Sequence, residues 1–95
     1  MHSPSKIYFT DDITLDAKRR DFRCNAIYYD LNAQKFVDPL GGIDDVKNGI
    51  IETVRQPEKV FGEDGLRLMR LARQSAETGL VPTPACILGA KSNAN

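Results

Sequence analysis

The stretch Asp16-Ala17-Lys18-Arg19-Arg20-Asp21-Phe22-Arg23-Cys24-Asn25-Ala26 decides how the chain is read. Thr14 precedes it as a candidate N-cap, and Leu15, Phe22, Ala26 and Tyr29 fall at spacings of seven, four and three residues, the pattern of one apolar helical stripe. A first helix running to about Tyr28 is therefore predicted. On it Asp21 and Asn25, four residues apart, project from one face. A carboxylate beside an amide can hold sugar hydroxyls, and Arg19, Arg20 and Arg23 around them carry forked donors that match phosphate oxygens. Charge spacing by itself favours a plainer reading, a solvated helix face with ordinary ion pairs.

Downstream, Asn32 and Ala33 turn the chain and Lys35-Phe36-Val37 reads as a short strand ending at Asp38-Pro39. Ile43-Asp44-Asp45-Val46-Lys47-Asn48 has its acids early, its lysine late and Gly49 just beyond, the order of a brief helix. Ile50, Ile51, Thr53 and Val54 make a second strand. After Pro57 the longest periodic segment puts Phe61, Gly65, Leu68, Met69, Ala72 and Ala76 on one side of a helix that Gly79 stops. Pro82 and Pro84 break the chain again, and a last helix is expected to start from Thr83 without completing an amphipathic face. The fold class is α/β (α+β) and helix-rich, with a short two-stranded segment and three to four helices. Two short strands are marginal as an independent sheet, which points to a piece of a larger α/β unit whose open edges and apolar faces favour homo-oligomers.

Size and charge narrow the function classes. The chain has 95 residues, enough for one small domain of marginal stability. Thirteen basic and thirteen acidic side chains balance, so any RNA or nucleotide contact has to be local rather than the work of a basic field. Cys24 and Cys86 lie far apart without Cys or His neighbours, which supports neither a zinc site nor a disulfide framework, and both read as reduced. No apolar run reaches the length of a membrane span and no signal peptide is present, so the expected compartment is the cytoplasm.

A second segment carries chemistry: Phe61-Gly62-Glu63-Asp64-Gly65-Leu66-Arg67-Leu68-Met69-Arg70-Leu71-Ala72-Arg73. Asp64 and Arg67, three residues apart, set an acceptor beside a fork of donors. Cytosine and adenine each present an amino group next to an unprotonated ring nitrogen, whereas uracil and guanine present a carbonyl and a ring N–H. One Asp–Arg pair can thus accept C and A and reject U and G. Spacing alone favours an intrahelical ion pair worth about 0.3–0.5 kcal/mol.

Taken in order, these segments resemble the class II template-independent RNA nucleotidyltransferases, the family of CCA-adding enzymes and bacterial poly(A) polymerases. Arg19-Arg20-Asp21-Phe22-x-x-Asn25-Ala26 is similar to the motif that binds the ribose and phosphates of the incoming nucleotide. Asp38-Pro39-x-Gly41-Gly42-x-x-Asp45 resembles the loop that follows, and Glu63-Asp64-x-x-Arg67 the nucleotide-selecting helix. Arg70 and Arg73, continuing to Ala76 and Gly79-Leu80, resemble the arginine-rich helix after it. The likeness covers roughly residues 10–80 and is carried by the set in this order rather than by one motif.

The resemblance implies that Asp21 and Asn25 contact the sugar, that Arg19, Arg20 and Arg23 are candidates for phosphate, and that Asp64 with Arg67 chooses the base. Arg70 and Arg73 would support the site or the primer end. Residues 1–56 would be the C-terminal part of a nucleotidyltransferase head, and 57–95 the selecting helix and the start of a helical neck. Cys24 stands where the family usually has an aliphatic residue, and Gln74-Ser75 replaces a more common aromatic-containing pair. The implied substrates are ATP and CTP, the implied partner a tRNA or other RNA 3′ end, and the implied cofactor Mg2+, held by an aspartate pair beside a Gly-Gly-x-x-Arg-Asp loop. Neither that pair nor that loop occurs here. Asp11-Asp12 is adjacent rather than alternating, so on a strand its side chains point to opposite faces and share no metal. The chain is accordingly expected to be an internal fragment, with no metal ligands and no activity of its own. Poly(A) addition, a non-catalytic nucleotide- or RNA-binding module and a purely structural helical protein are the other readings.

Overall fold

The computed structural model describes residues 13–94; Asp11-Asp12 lies outside them. Residues 13–18 form helix α1, and a 3-10 turn at Arg23–Asn25 leads into strand β1 (Tyr28–Asp30). Strand β2 (Lys35–Val37), helix α2 (Gly42–Lys47) and strand β3 (Ile50–Ile51) follow. Helices α3 (Pro57–Glu63) and α4 (Leu66–Thr78), strand β4 (Val81–Pro82) and helix α5 (Pro84–Ser92) complete the order. The strands form two separate two-stranded sheets. β1 and β2 pair antiparallel with Tyr28 opposite Val37, and β3 and β4 pair parallel with Ile50 opposite Val81. Pro82 fits β4 because the ladder uses its neighbours: Val81 N–H donates to Gly49 O and Thr83 N–H to Ile51 O.

The first predicted helix is cut short. It ends at residue 18, where Arg19 and Arg20 N–H close back on Asp16 and Ala17 carbonyls three residues behind. The chain then extends through Phe22 (φ −118°, ψ 146°), which bridges to Thr53: Arg23 N–H donates to Glu52 O at 2.9 Å and Val54 N–H to Asp21 O at 3.0 Å. The reason is burial. Phe22 has no exposed surface and lies against Phe61, ring centroids 6.1 Å apart, in a core shared with Ile51, Leu71 and Cys86. Burying such a ring contributes about 1.5–3 kcal/mol, more than the helix propensity of a few residues. The expected stripe does not form, since Leu15 and Tyr29 are exposed; Tyr29 instead packs edge-on against Phe36 across the β1–β2 hairpin.

The long helix predicted after Pro57 is two helices. Asp64 breaks it with an extended backbone (φ −153°, ψ 111°), and its Oδ1 accepts from Leu66 N–H at 3.0 Å to start α4. The buried side only partly matches the predicted one: Phe61 is buried and Leu68 packs against the core as predicted, but Val60 and Leu71 also face inward while Met69, Ala72 and Ala76 face out. Gly79 ends α4 at φ 78°, as its position predicted. The brief helix and the Lys35–Val37 strand also form as predicted. Thr83 does cap α5, its Oγ1 accepting from Cys86 N–H, and the helix runs to Ser92. Cys24 and Cys86 are both free thiols, Cys86 in the core.

Two glycines mark close approaches that the fold cannot relax. A Cβ on Gly42 would meet Arg23 O at 2.1 Å, and one on Gly89 would meet Pro57 Cβ at 2.3 Å where α5 crosses α3. Gly65, at φ −63°, has open space around it. Gly89→Ala is therefore expected to destabilise by about 1–3 kcal/mol despite a helix-propensity gain of about 1 kcal/mol. Gly65→Ala should be neutral or stabilising by up to about 1 kcal/mol. Urea unfolding of both variants checks this, and equal midpoints would contradict the α3–α5 packing described.

Candidate functional site

Arg67, Arg70 and Gln74 fall at i, i+3 and i+7 on α4 and so share one side of it. That side meets the turn leaving α1 in register. Arg67 Nη2 donates to Arg19 O at 2.8 Å, Arg70 Nε to Asp21 Oδ2 at 2.5 Å, and Gln74 Nε2 to Asn25 Oδ1 at 2.8 Å. The two segments singled out in the sequence, some 45 residues apart, thus form one wall. Beside it lies a shallow depression of about 380 Å³ lined by Arg70, Arg73, Gln74, Glu77 and Thr78.

Asp21 is the buried centre, only 4% exposed. Its Oδ1 accepts from Phe22 N–H at 2.7 Å and Asn25 Nδ2 at 3.2 Å, and Oδ2 from Arg70. Burial by itself would raise its pKa, but the bonds from Arg70, Asn25 and Phe22 outweigh that and hold the carboxyl below its ordinary value. Asp21 and Asn25 are therefore side by side as expected, through a 3-10 turn rather than a helix face.

The candidate phosphate arginines separate. Arg19 has no ion-pair partner among the described residues. Arg20 is held by Asp16 at 2.9 Å and by the Tyr28 hydroxyl, with its guanidinium 5.3 Å from that ring's centroid. Arg23 is turned away from the wall: its fork closes on buried Asp45 of α2, Nε to Oδ2 at 2.8 Å and Nη2 to Oδ1 at 2.6 Å. Two of the five Arg23 donors are engaged in this way, while its Nη1 bonds no group among the described residues. Arg70 is 55% exposed over Asp21, and Arg73, exposed on α4, lies 3.9 Å from Glu77.

Asp64 and Arg67 do not share a helix, since Asp64 sits in the α3–α4 break, yet Arg67 N–H donates to Asp64 O and keeps the two one turn apart. Their side chains do not pair. Arg67 Nη1 donates to Val60 O and to Glu63 Oε1, each at 2.9 Å. Glu63 also accepts both arms of Arg55 at 2.7 and 2.9 Å, and Arg55 Nε caps α1 through Lys18 O at 2.6 Å. The sequence assigns no candidate role to Arg55, Glu63 or Gln74. Glu63 lies inside Glu63-Asp64-x-x-Arg67 and Gln74 one turn past Arg70, but only the tertiary contacts show what each holds.

Asp21, Asp45 and Glu63 are each taken by arginine, and no group of three potential ligands occurs among the described residues. No described helix is long and apolar enough to cross a membrane.

The family described as Poly A polymerase head domain matches residues 1–52, more than half of the chain. The chain belongs to this family. It is 45% identical over 74 residues to a CCA-adding enzyme of Lactobacillus helveticus, which covers 78% of this chain and 18% of that protein. It is 38% identical over 69 residues to poly(A) polymerase I of Escherichia coli, covering 73% and 15%. The CCA-adding enzyme of Bacillus stearothermophilus, solved in complex with CTP, superposes with a TM-score of 0.76 at 40% identity, covering 81% of this chain and 19% of that one. The fold is thus that of the head region of CCA-adding enzymes, and the chain spans under a fifth of the length of these three proteins.

Glu63 gives a pH test of the wall. Bonds from Arg55 and then Arg67 bring its pKa from 4.5 down to about 2, so the stabilisation is present above 4.5 and lost as pH falls through about 2. The thermal midpoint of the unaltered chain should exceed that of Glu63→Gln at neutral pH, and the gap should close across that window. A gap that does not change with pH would show that the arginine contacts do not form.

Proposed function

We propose that this chain is the nucleotide-selecting part of an RNA 3′-end nucleotidyltransferase that adds CCA to tRNA, working on ATP and CTP. Residues 1–56 belong to the nucleotidyltransferase head and 57–95 to the selecting helix and the start of the neck. The observation that supports this reading is the register of α4 on the turn after α1, in which Arg67 bonds Arg19 O, Arg70 bonds Asp21 and Gln74 bonds Asn25, so that Arg67 shares one wall with the sugar candidates.

In this reading Asp64 and Arg67 present the base-choosing edge. Three of the five guanidinium N–H donors of Arg67 are used on Val60 O, Glu63 and Arg19 O, which leaves two for a ring nitrogen, and Asp64 Oδ2 is open to an amino group. Glu63 and the two carbonyls hold the guanidinium still, so little freedom is lost on binding. Asp21 and Asn25 take the ribose, Arg19, Arg20 and Arg23 are the candidates for phosphate oxygens, and Arg70 and Arg73 support the site or the primer end, with Arg20 and Arg23 also bracing the turn through Asp16 and Asp45. Mg2+ would be held in the parent enzyme by carboxylates other than those described, steadying the attacking and leaving oxygens of the transfer. The solved relative bound to CTP supports the choice of substrate class. The 38% identity to a poly(A) polymerase favours a second reading, AMP addition alone.

Equilibrium binding of CTP, ATP, UTP and GTP to the chain tests the proposal. CTP and ATP are expected to bind roughly ten- to a hundredfold tighter than UTP and GTP, the discrimination of one good bidentate pair at about 1–3 kcal/mol. Asp64→Ala and Arg67→Ala should level the four. Equal affinities in the unaltered chain would overturn the reading. End-labelling of tRNA lacking its 3′ CCA by the full-length parent decides between the two enzymes, since CMP incorporation opposes poly(A) addition; the chain by itself should incorporate nothing.

A further inference from the structure

Gln74 belongs to none of the recognition pairs, yet its side chain reaches Asn25 and Cys24 together. Its amide forms a reciprocal pair with that of Asn25: Nε2 donates to Asn25 Oδ1 at 2.8 Å, and Oε1 accepts from Asn25 Nδ2 at 2.7 Å. Nε2 also donates to Cys24 Sγ at 3.2 Å. The second hydrogen of Asn25 Nδ2 goes to Asp21 Oδ1 at 3.2 Å.

An asparagine amide rotates through a broad, nearly two-fold torsional well, so something must choose which end faces Asp21. The Asp21 contact at 3.2 Å lies at the long limit for N–H···O, whereas the two Gln74 contacts are short. The Asp21 carboxylate by its charge and Gln74 by its two shorter bonds therefore restrain the amide together. A flipped Asn25 would turn its carbonyl oxygen on the Asp21 carboxylate and match neither end of Gln74.

We propose that Gln74 is a positioning residue that sets ribose selectivity, by locking the Asn25 amide with its NH2 toward Asp21 and leaving on Oδ1 a lone pair that faces only the weak Cys24 thiol donor, which a sugar hydroxyl displaces. This rests on the reading of Asp21 and Asn25 as the sugar contacts. Asp21 has three of about four acceptor positions filled, and Asn25 Oδ1 accepts from Gln74 Nε2 and, at 4.0 Å, from the Cys24 thiol, a weak donor that a hydroxyl proton can displace. A 2′-deoxyribose has one hydroxyl fewer to offer them. Glutamine is required at 74 because it both donates and accepts; glutamate would set a carboxylate against Asn25 Oδ1 and add a negative charge near Asp21.

The test is the affinity of the full chain for CTP and for 2′-deoxyCTP, in the unaltered protein, Asp21→Ala and Gln74→Met, with each fold checked by its thermal melt. The unaltered chain should prefer CTP. Gln74→Met should narrow that preference by roughly tenfold, CTP losing more than 2′-deoxyCTP. A Gln74→Met that weakens both nucleotides equally, or keeps the full preference, overturns the proposal while leaving the sugar reading intact. An unaltered chain without the preference, or an Asp21→Ala that retains it, overturns the sugar reading itself and the proposal with it. Should Gln74→Met not fold, Gln74→Glu of equal length carries the same expectation and the same refutation.

Discussion

A buried carboxylate with its donors holds the described structure together. Asp21 lies where the chain turns out of α1, and an ionised carboxylate there costs several kcal/mol unless it is bonded. Phe22 N–H, Asn25 and Arg70 supply those bonds, and they come from two directions: two from its own turn and one from α4. Burying Asp21 therefore specifies where α4 must lie. Phe22, the next residue, is buried in the apolar core, so two adjacent residues anchor the polar wall and the hydrophobic interior.

Arginines finish what the carboxylate starts. The last carbonyls of a helix have no intrahelical donors. Arg55 donates to Lys18 O at the end of α1, and Arg67 to Val60 O in the last turn of α3 and to Arg19 O beyond α1. Glu63 binds both arginines and keeps their charges from repelling. The same contacts that cap the helices immobilise the guanidinium proposed to read a base, so a rigid recognition edge follows from helix capping. On the far side Arg23 and Asp45 tie α2 to the 3-10 turn, with Gly42 admitting the Arg23 carbonyl at a distance no side chain would allow.

Local signals were legible where a short-range rule governs. Gly79 at a left-handed stop, Thr83 as a cap, the Lys35–Val37 strand and the Gly42–Lys47 helix each depend on neighbours within a few residues. The misread elements share a different cause. Leu15, Phe22, Ala26 and Tyr29 keep a helical spacing, but Phe22 pairs with Thr53 and packs on Phe61, both more than 30 residues away. Likewise Asp64 looked like a helix residue because its competition for Leu66 N–H, which breaks the segment, leaves no mark on apolar periodicity.

The sequence by itself determined the family, the residue types of the site and their order, because motif spacing and side-chain chemistry are written along the chain. Tertiary structure alone decided which partner each arginine takes in the fold, and that Gln74 bonds Asn25. The physical reason is that a guanidinium or an amide is satisfied by whichever partner packing brings within about 3 Å. For Arg23 that partner was Asp45, for Arg70 Asp21 and for Gln74 Asn25, each of them 22 residues or more away along the chain.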